Sequence, residues 1–149
     1  MTYARTAVDL FIGNGKHLAD LLLCGVLARY PKLKFVSVES GVGWIPFVLE
    51  AVDYSFGKAD VRAEHPEFDM LPSEYFRNQV YSCYWFEKEL SVDLLNKVGI
   101  KNIMFETDFP HPTCIHEDVN DVIDSCLSNL PEDVQHDIVW GNAAKLYGI

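Results

Sequence analysis

The sequence has no apolar run near the roughly 18–20 residues that a membrane-spanning helix needs. It also lacks positive charge: 12 Lys plus Arg stand against 22 Asp plus Glu, a formal net charge of −10. That balance argues against nucleic acid or an anionic membrane as a main partner. Cysteine is sparse, with Cys24, Cys83, Cys114 and Cys126 widely spaced and no CxxC pair, which leaves no zinc-finger arrangement. Such cysteines read as reduced and structural, in a cytoplasmic protein. Internal repeats, biased tracts and a dividing linker are missing. The start, Met1-Thr2-Tyr3-Ala4-Arg5, lacks the charged-then-apolar order of a secretory signal. What is present is globular composition: 49% apolar and 13% aromatic residues, enough to build a core. The expected organisation is one domain over residues 1–149.

Apolar spacing sets out the elements. Leu18, Leu21, Leu22, Gly25 and Val26 recur at helical spacing and predict a helix from Lys16 to Tyr30, stopped by Pro31. Phe35 to Ser40 reads as a buried strand. Gly41-Val42-Gly43 then turns into a helix with Pro46 in its first turn, an apolar face of Ile45, Val48, Leu49, Val52 and Phe56, and an end at Gly57. Residues 58–78 read as the least regular part, with one short helical turn from Pro72 to Arg77. Val80 to Phe86 is the second strand, Glu87 to Val98 a helix capped by Gly99, and Asn102 to Glu106 the third strand. The last third is helical, with a stripe of Val119, Val122, Ile123, Cys126, Leu127 and Leu130, a helix from Pro131, and a closing helix from Asn142 to Tyr147. Strands alternating with helices predict parallel pairing through right-handed crossovers in one α/β unit.

In parallel α/β folds, ligands sit at the carboxyl ends of the strands. Three such junctions exist: Glu39-Ser40-Gly41, Trp85-Phe86-Glu87, and Glu106 through His111. Each carries a carboxylate, which is costly to bury unless it is hydrogen-bonded, paired or bound to metal. Capping the following helix is the plainer use, above all for Glu87. Asp108 is the most informative position, because it directly follows a buried strand in a segment stiffened by Pro110 and Pro112. Gly41-Val42-Gly43 lacks the third glycine of a dinucleotide fingerprint and reads as a turn. Trp44, Trp85 and Phe109 fall near one face of the sheet and suit an apolar or aromatic pocket, or equally core-edge packing.

Glu106-Thr107-Asp108-Phe109-Pro110-His111 resembles the final-strand motif of the amidohydrolase-related metal-dependent hydrolases and decarboxylases. Leu27 to Phe35 resembles the passage into their sixth strand, Glu39 to Pro46 the loop after it, and Gly141 to Tyr147 their closing helix. The resemblance covers nearly the whole chain, with these segments in the right order. It implies a barrel of eight β/α units with a divalent metal, zinc or else manganese, at its carboxyl face. It further implies that Asp108 is a metal ligand and the base that takes the proton of metal-bound water, whose pKa a metal lowers to about 7. Glu39 stands where many members carry a histidine that polarises substrate, making it a second candidate catalytic residue or a partner for a nearby base. His111, which shares the Asp108 loop, joins Trp44 and Trp85 as a candidate substrate contact. The first five strands and their His-x-His have no counterpart, and 149 residues fall short of the about 250 of a complete barrel. His17, His65 and His136 read as solvent-exposed and do not make up the deficit. One carboxylate and one imidazole also fall short of the three protein ligands usual for catalytic zinc.

The expected fold is therefore α/β, a partial barrel of about three parallel strands (barrel strands six to eight) with flanking helices. Two functions are compatible with it. One is the carboxyl-terminal part of an enzyme that hydrolyses a C–N or ester bond, or decarboxylates an aromatic acid, on a small-molecule substrate. Its site would be completed by another chain carrying the first five strands. The other is a non-catalytic truncated or interaction domain that self-associates through open sheet edges.

Overall fold

Short apolar runs alternating with amphipathic helices build one sheet of parallel strands. A computed structural model describes residues 2–149. The strands β1 (Phe35–Ser37), β2 (Val80–Tyr84) and β3 (Ile103–Phe105) pair in the order β1-β2-β3. Phe35 aligns with Val80 and Ser82 with Ile103, both pairs parallel. Side chains alternate across a strand. Val80, Tyr84 and Ile103 face the helices and join one hydrophobic core with Leu18, Leu49 and Leu127. Cys83 and Met104, which are register partners, occupy the opposite face.

The first helix, α1 (Thr2–Leu23), is longer than its apolar spacing predicts and ends earlier. Gly25 adopts φ 75°, a left-handed conformation, and separates α1 from the single turn α2 (Val26–Arg29). A Cβ at Gly25 would lie 2.8 Å from Arg29 Nη1, the end of a flexible side chain that can move, so it is the backbone angle that calls for glycine. The helix α3 (Ile45–Lys58) has the expected buried face of Ile45, Leu49, Val52 and Phe56. Residues 58–78 are more regular than expected and hold α4 (Val61–Glu64) and α5 (Pro72–Gln79). Two acids supply that order: Glu74 Oε2 accepts the Leu71 N–H at 2.7 Å, and Asp53 Oδ1 accepts the Ser73 N–H at 2.9 Å.

The helix expected from Glu87 starts only at Val92, giving α6 (Val92–Val98). Ser91 caps it, its Oγ accepting the Leu94 N–H at 3.3 Å, whereas Glu87 is committed to another loop. The chain closes with α7 (Val119–Leu127), α8 (Glu132–His136), a wide helical turn over Asp137–Gly141, and α9 (Asn142–Tyr147).

Buried amides tie the amino ends of the strands together. Asn102 Nδ2 donates to the Val80 carbonyl at 2.7 Å, and Asn142 Nδ2 to the Ile103 carbonyl at 2.7 Å. Gln79 Nε2 donates to the Tyr30 carbonyl at 2.9 Å. No helix among the described residues is long and apolar enough to cross a membrane. The four cysteines are free; Cys24 is exposed and the other three are buried.

Candidate functional site

At the carboxyl ends of the strands the chain turns sharply, and acids occupy the turns. Glu39, two residues past β1, has φ 59°, and Asp108, three past β3, has φ 56°. Both are left-handed conformations that cost a non-glycine residue roughly 1–2 kcal/mol and persist only where the surroundings enforce them. Glu106 enforces the first. Its Oε1 accepts the Glu39 N–H at 2.7 Å, while its own N–H continues the ladder to the Tyr84 carbonyl at 3.0 Å. A tight turn enforces the second, the His111 N–H donating to the Asp108 carbonyl at 2.9 Å. The Phe109–Pro110 peptide in this turn is cis.

These turns bring three side chains together. Asp108 Oδ1 lies 2.7 Å from His111 Nδ1, and its Oδ2 accepts from Thr113 Oγ1 at 3.2 Å. Glu39 Oε2 lies 4.0 Å from the same imidazole nitrogen. One ligand atom each from Glu39, Asp108 and His111 falls within 4.8 Å of the other two. The Asp108 side chain is only 6% exposed, against 51% for Glu39 and 60% for His111. Asp108 thus forms the floor of the cluster, and the other two form its rim.

Electrostatics follow from this crowding. Burial raises the Glu106 carboxyl from 4.5 to about 7, and the nearby negative charges of Glu39 and Asp108 push the same way. The Glu39 N–H opposes the shift without cancelling it. Burial also pushes the Cys83 thiol far up, with Glu106 beside it adding to the effect. Near neutrality Glu106 therefore adds less negative charge beside the cluster than an ordinary carboxylate would.

Two carboxylate oxygens and an imidazole nitrogen are donors that manganese and zinc accept. Their convergence, with Glu39 and His111 more than half exposed, fits a divalent cation with free coordination positions. Glu39, Asp108 and His111 are the residues that would hold it.

Trp85 lines a small cavity of about 100 Å³ together with Tyr3, Phe11, Glu39 and Thr113. Phe11 of α1 packs edge-on against it, ring centres 5.5 Å apart. Trp44 lies elsewhere. It lines a groove of about 420 Å³ between α1 and α3 with Phe11, Ile12 and Phe47, and its indole N–H donates to the Ser40 carbonyl at 2.8 Å. The structure therefore joins Glu39, Asp108 and His111 in one cluster, sets Trp85 beside Glu39, and leaves Trp44 on a different surface.

Sequence reasoning missed three contributors. Glu106 carries a visible signal, since strand alternation puts it on the face of Cys83 and Met104. Thr113 follows Pro112 in the Asp108 loop, a weaker cue. Asn14 carries no sequence signal: its Nδ2 donates to Ser37 Oγ at 2.9 Å, to the Val38 carbonyl at 3.1 Å and to Ser40 Oγ at 2.5 Å, pinning α1 to the end of β1.

The sequence profile described as Amidohydrolase matches residues 6–149. A gamma-resorcylate decarboxylase of Polaromonas sp. is 24% identical over 133 residues, 88% of this chain and 39% of that protein. The solved 5-carboxyvanillate decarboxylase of Sphingomonas paucimobilis superposes with a TM-score of 0.66 at 28% identity, covering 88% of this chain and 38% of the other. A dihydroxybenzoic acid decarboxylase of Polaromonas sp., solved with manganese and the inhibitor 2-nitroresorcinol, superposes with a TM-score of 0.64 at 22% identity, covering 90% and 39%. The chain spans less than two-fifths of the length of the curated relatives it matches.

Proposed function

The chain belongs to the amidohydrolase family, and from that premise we propose that it is the carboxyl-terminal portion, one domain over residues 1–149, of a metal-dependent decarboxylase or hydrolase. Its α/β fold with three parallel strands is part of the family's barrel. The observation that carries the proposal is the convergence of Glu39, Asp108 and His111 at the carboxyl ends of β1 and β3.

A divalent ion, manganese or zinc, would supply charge to orient substrate and to activate water. The chain's own residues prepare that site. Thr113 and His111 hold the Asp108 carboxylate by both oxygens, so it meets a cation or a proton in one orientation. Asp108 is the proposed ligand and base, and Glu39 the proposed second catalytic carboxylate. Glu106, partly protonated near neutrality, adds little negative charge of its own beside them. Trp85 would contact the substrate, a small aromatic acid by the chemistry of the relatives, and His111 would do so beside the ion it helps to hold; Trp44, on its separate groove, has a weaker claim. Further strands are supplied by the rest of the protein or by another chain. A cytoplasmic location belongs to the same proposal and rests on the free cysteines.

The test is calorimetric titration of Mn²⁺ or Zn²⁺ into the wild-type chain, Asp108→Ala and Glu39→Gln. Stoichiometric binding is expected. Losing one ligand should weaken it at least as much as losing an outer-shell partner does, roughly 10–100-fold. Equal affinity in wild type and Asp108→Ala would sink the reading.

One observation favours a second reading, an association domain without catalysis. Among the described residues, β1 and β3 each pair on one side only, and Phe35 of β1 is exposed.

A further inference from the structure

Among the described residues Glu87 makes no hydrogen bond to the three clustered side chains, yet its carboxylate holds the loop that follows Glu39. Oε1 accepts the Val42 N–H at 2.6 Å and the Gly43 N–H at 3.0 Å, and Oε2 accepts the Trp85 N–H at 3.2 Å. Three converging donors call for a group that only accepts, and a carboxylate is the side chain that does so with both of its oxygens. The mount is rigid, because the Tyr84 hydroxyl donates to the Glu87 carbonyl at 2.6 Å.

The loop is shaped around this carboxylate. Gly41 has φ 69°, and a Cβ there would lie 2.6 Å from Glu87 Cδ and closer still to Oε1. Glu39, two residues upstream, holds its own left-handed conformation with its N–H on Glu106. The N–H groups of residues 39, 42 and 43 are thus given to acids from the ends of the other two strands. Glu106 holds one end of the loop at Glu39 and Glu87 holds the other at Val42 and Gly43, and the Glu39 side chain projects from the first of these ties.

We propose that Glu87 is a positioning residue: by gripping the 39–43 loop from the end of β2, it sets where the Glu39 carboxylate stands relative to Asp108 and His111. This rests on the reading that those three residues form the metal cluster.

Amide hydrogen exchange on the full chain, followed by NMR in wild type, Glu87→Gln and Glu87→Ala, tests it alongside Mn²⁺ titration. Val42 and Gly43 lose their acceptor directly, so both must exchange faster. The deciding amide is Glu39, whose partner is Glu106. Its exchange should rise roughly tenfold or more in Glu87→Ala, with Glu87→Gln between, while β3 amides keep their wild-type rates. Mn²⁺ affinity should fall roughly tenfold in parallel. Unchanged exchange at Glu39 overturns the proposal and leaves Glu87 as a local tie. If wild type binds no Mn²⁺, the metal reading fails by itself and the Glu39 amide still decides this one. If Glu87→Ala does not fold, Glu87→Gln, which keeps the shape, gives the answer.

Discussion

Glu106 is held by an N–H and a thiol, crowded by two other acids, and too buried to ionise freely. Folding lifts its carboxyl from 4.5 to about 7, so between those values the folded chain keeps a proton that the unfolded chain has released. Stability from this group is therefore greatest at low pH, falls as pH rises through that window, and levels off above it. With metal chelated, melting of the wild type should drop by a few degrees between about pH 5 and about pH 8, at roughly 2–4 °C per kcal/mol for a chain this size. Glu106→Gln should lack that drop. An equal pH slope in both proteins would show that the carboxyl titrates normally. At this scale the sequence is legible where chemistry is local: Asp108 and His111 share one stiff loop, and Glu39 ends a strand. Asn14 was opaque, and Glu106 showed its face but not its partner, because their roles come from neighbours far along the chain. Glu106 reaches back 67 residues to Glu39 and Asn14 forward 26 to Ser40.

Among the elements, α1 divides into two halves with different duties. Its second half buries Leu18 and Leu22 in the core, whereas Leu10 and Ile12 are 69% and 71% exposed. Between them Phe11 rests on Trp85 and Phe86, and Asn14 is bonded to the end of β1. Phe11→Ala should release the first half from the sheet end at a cost of about 1–2 kcal/mol, less than a fully buried aromatic would forfeit. Hydrogen exchange across residues 2–13 should quicken while residues 16–23 stay protected. Equal protection in both halves would contradict this division. Helical periodicity is clear from Lys16 onward because those residues face the core. It fades before that, where the apolar side chains face out. The late start of α6 was equally hidden, because the distant loop that occupies Glu87 lies 44 residues upstream.

Taken whole, the molecule is sewn differently at its two ends. Neutral amides of Gln79, Asn102 and Asn142 close the amino ends of the strands, and acids close the carboxyl ends. The strand and helix order was readable from composition and periodicity alone, because β2 and β3 are buried apolar runs between amphipathic helices; β1 is shorter than the buried strand expected over Phe35 to Ser40 and leaves Phe35 exposed. That the sheet stops at three strands followed from length and from the resemblance together. Its two outer strands each leave a ladder edge open among the described residues, so the isolated chain should self-associate, with sedimentation mass rising with concentration. Phe35→Lys, which puts a charge on the β1 edge, should shift the chain toward monomer; a wild type that sediments as a monomer at every concentration would rule this out. Glu39 and Asp108 sit in backbone conformations that glycine adopts freely. A glycine at either place would relieve roughly 1 kcal/mol, a sizeable part of the roughly 5–15 kcal/mol that holds a typical domain folded. At these two places the backbone therefore favours glycine over the acids that the candidate site uses.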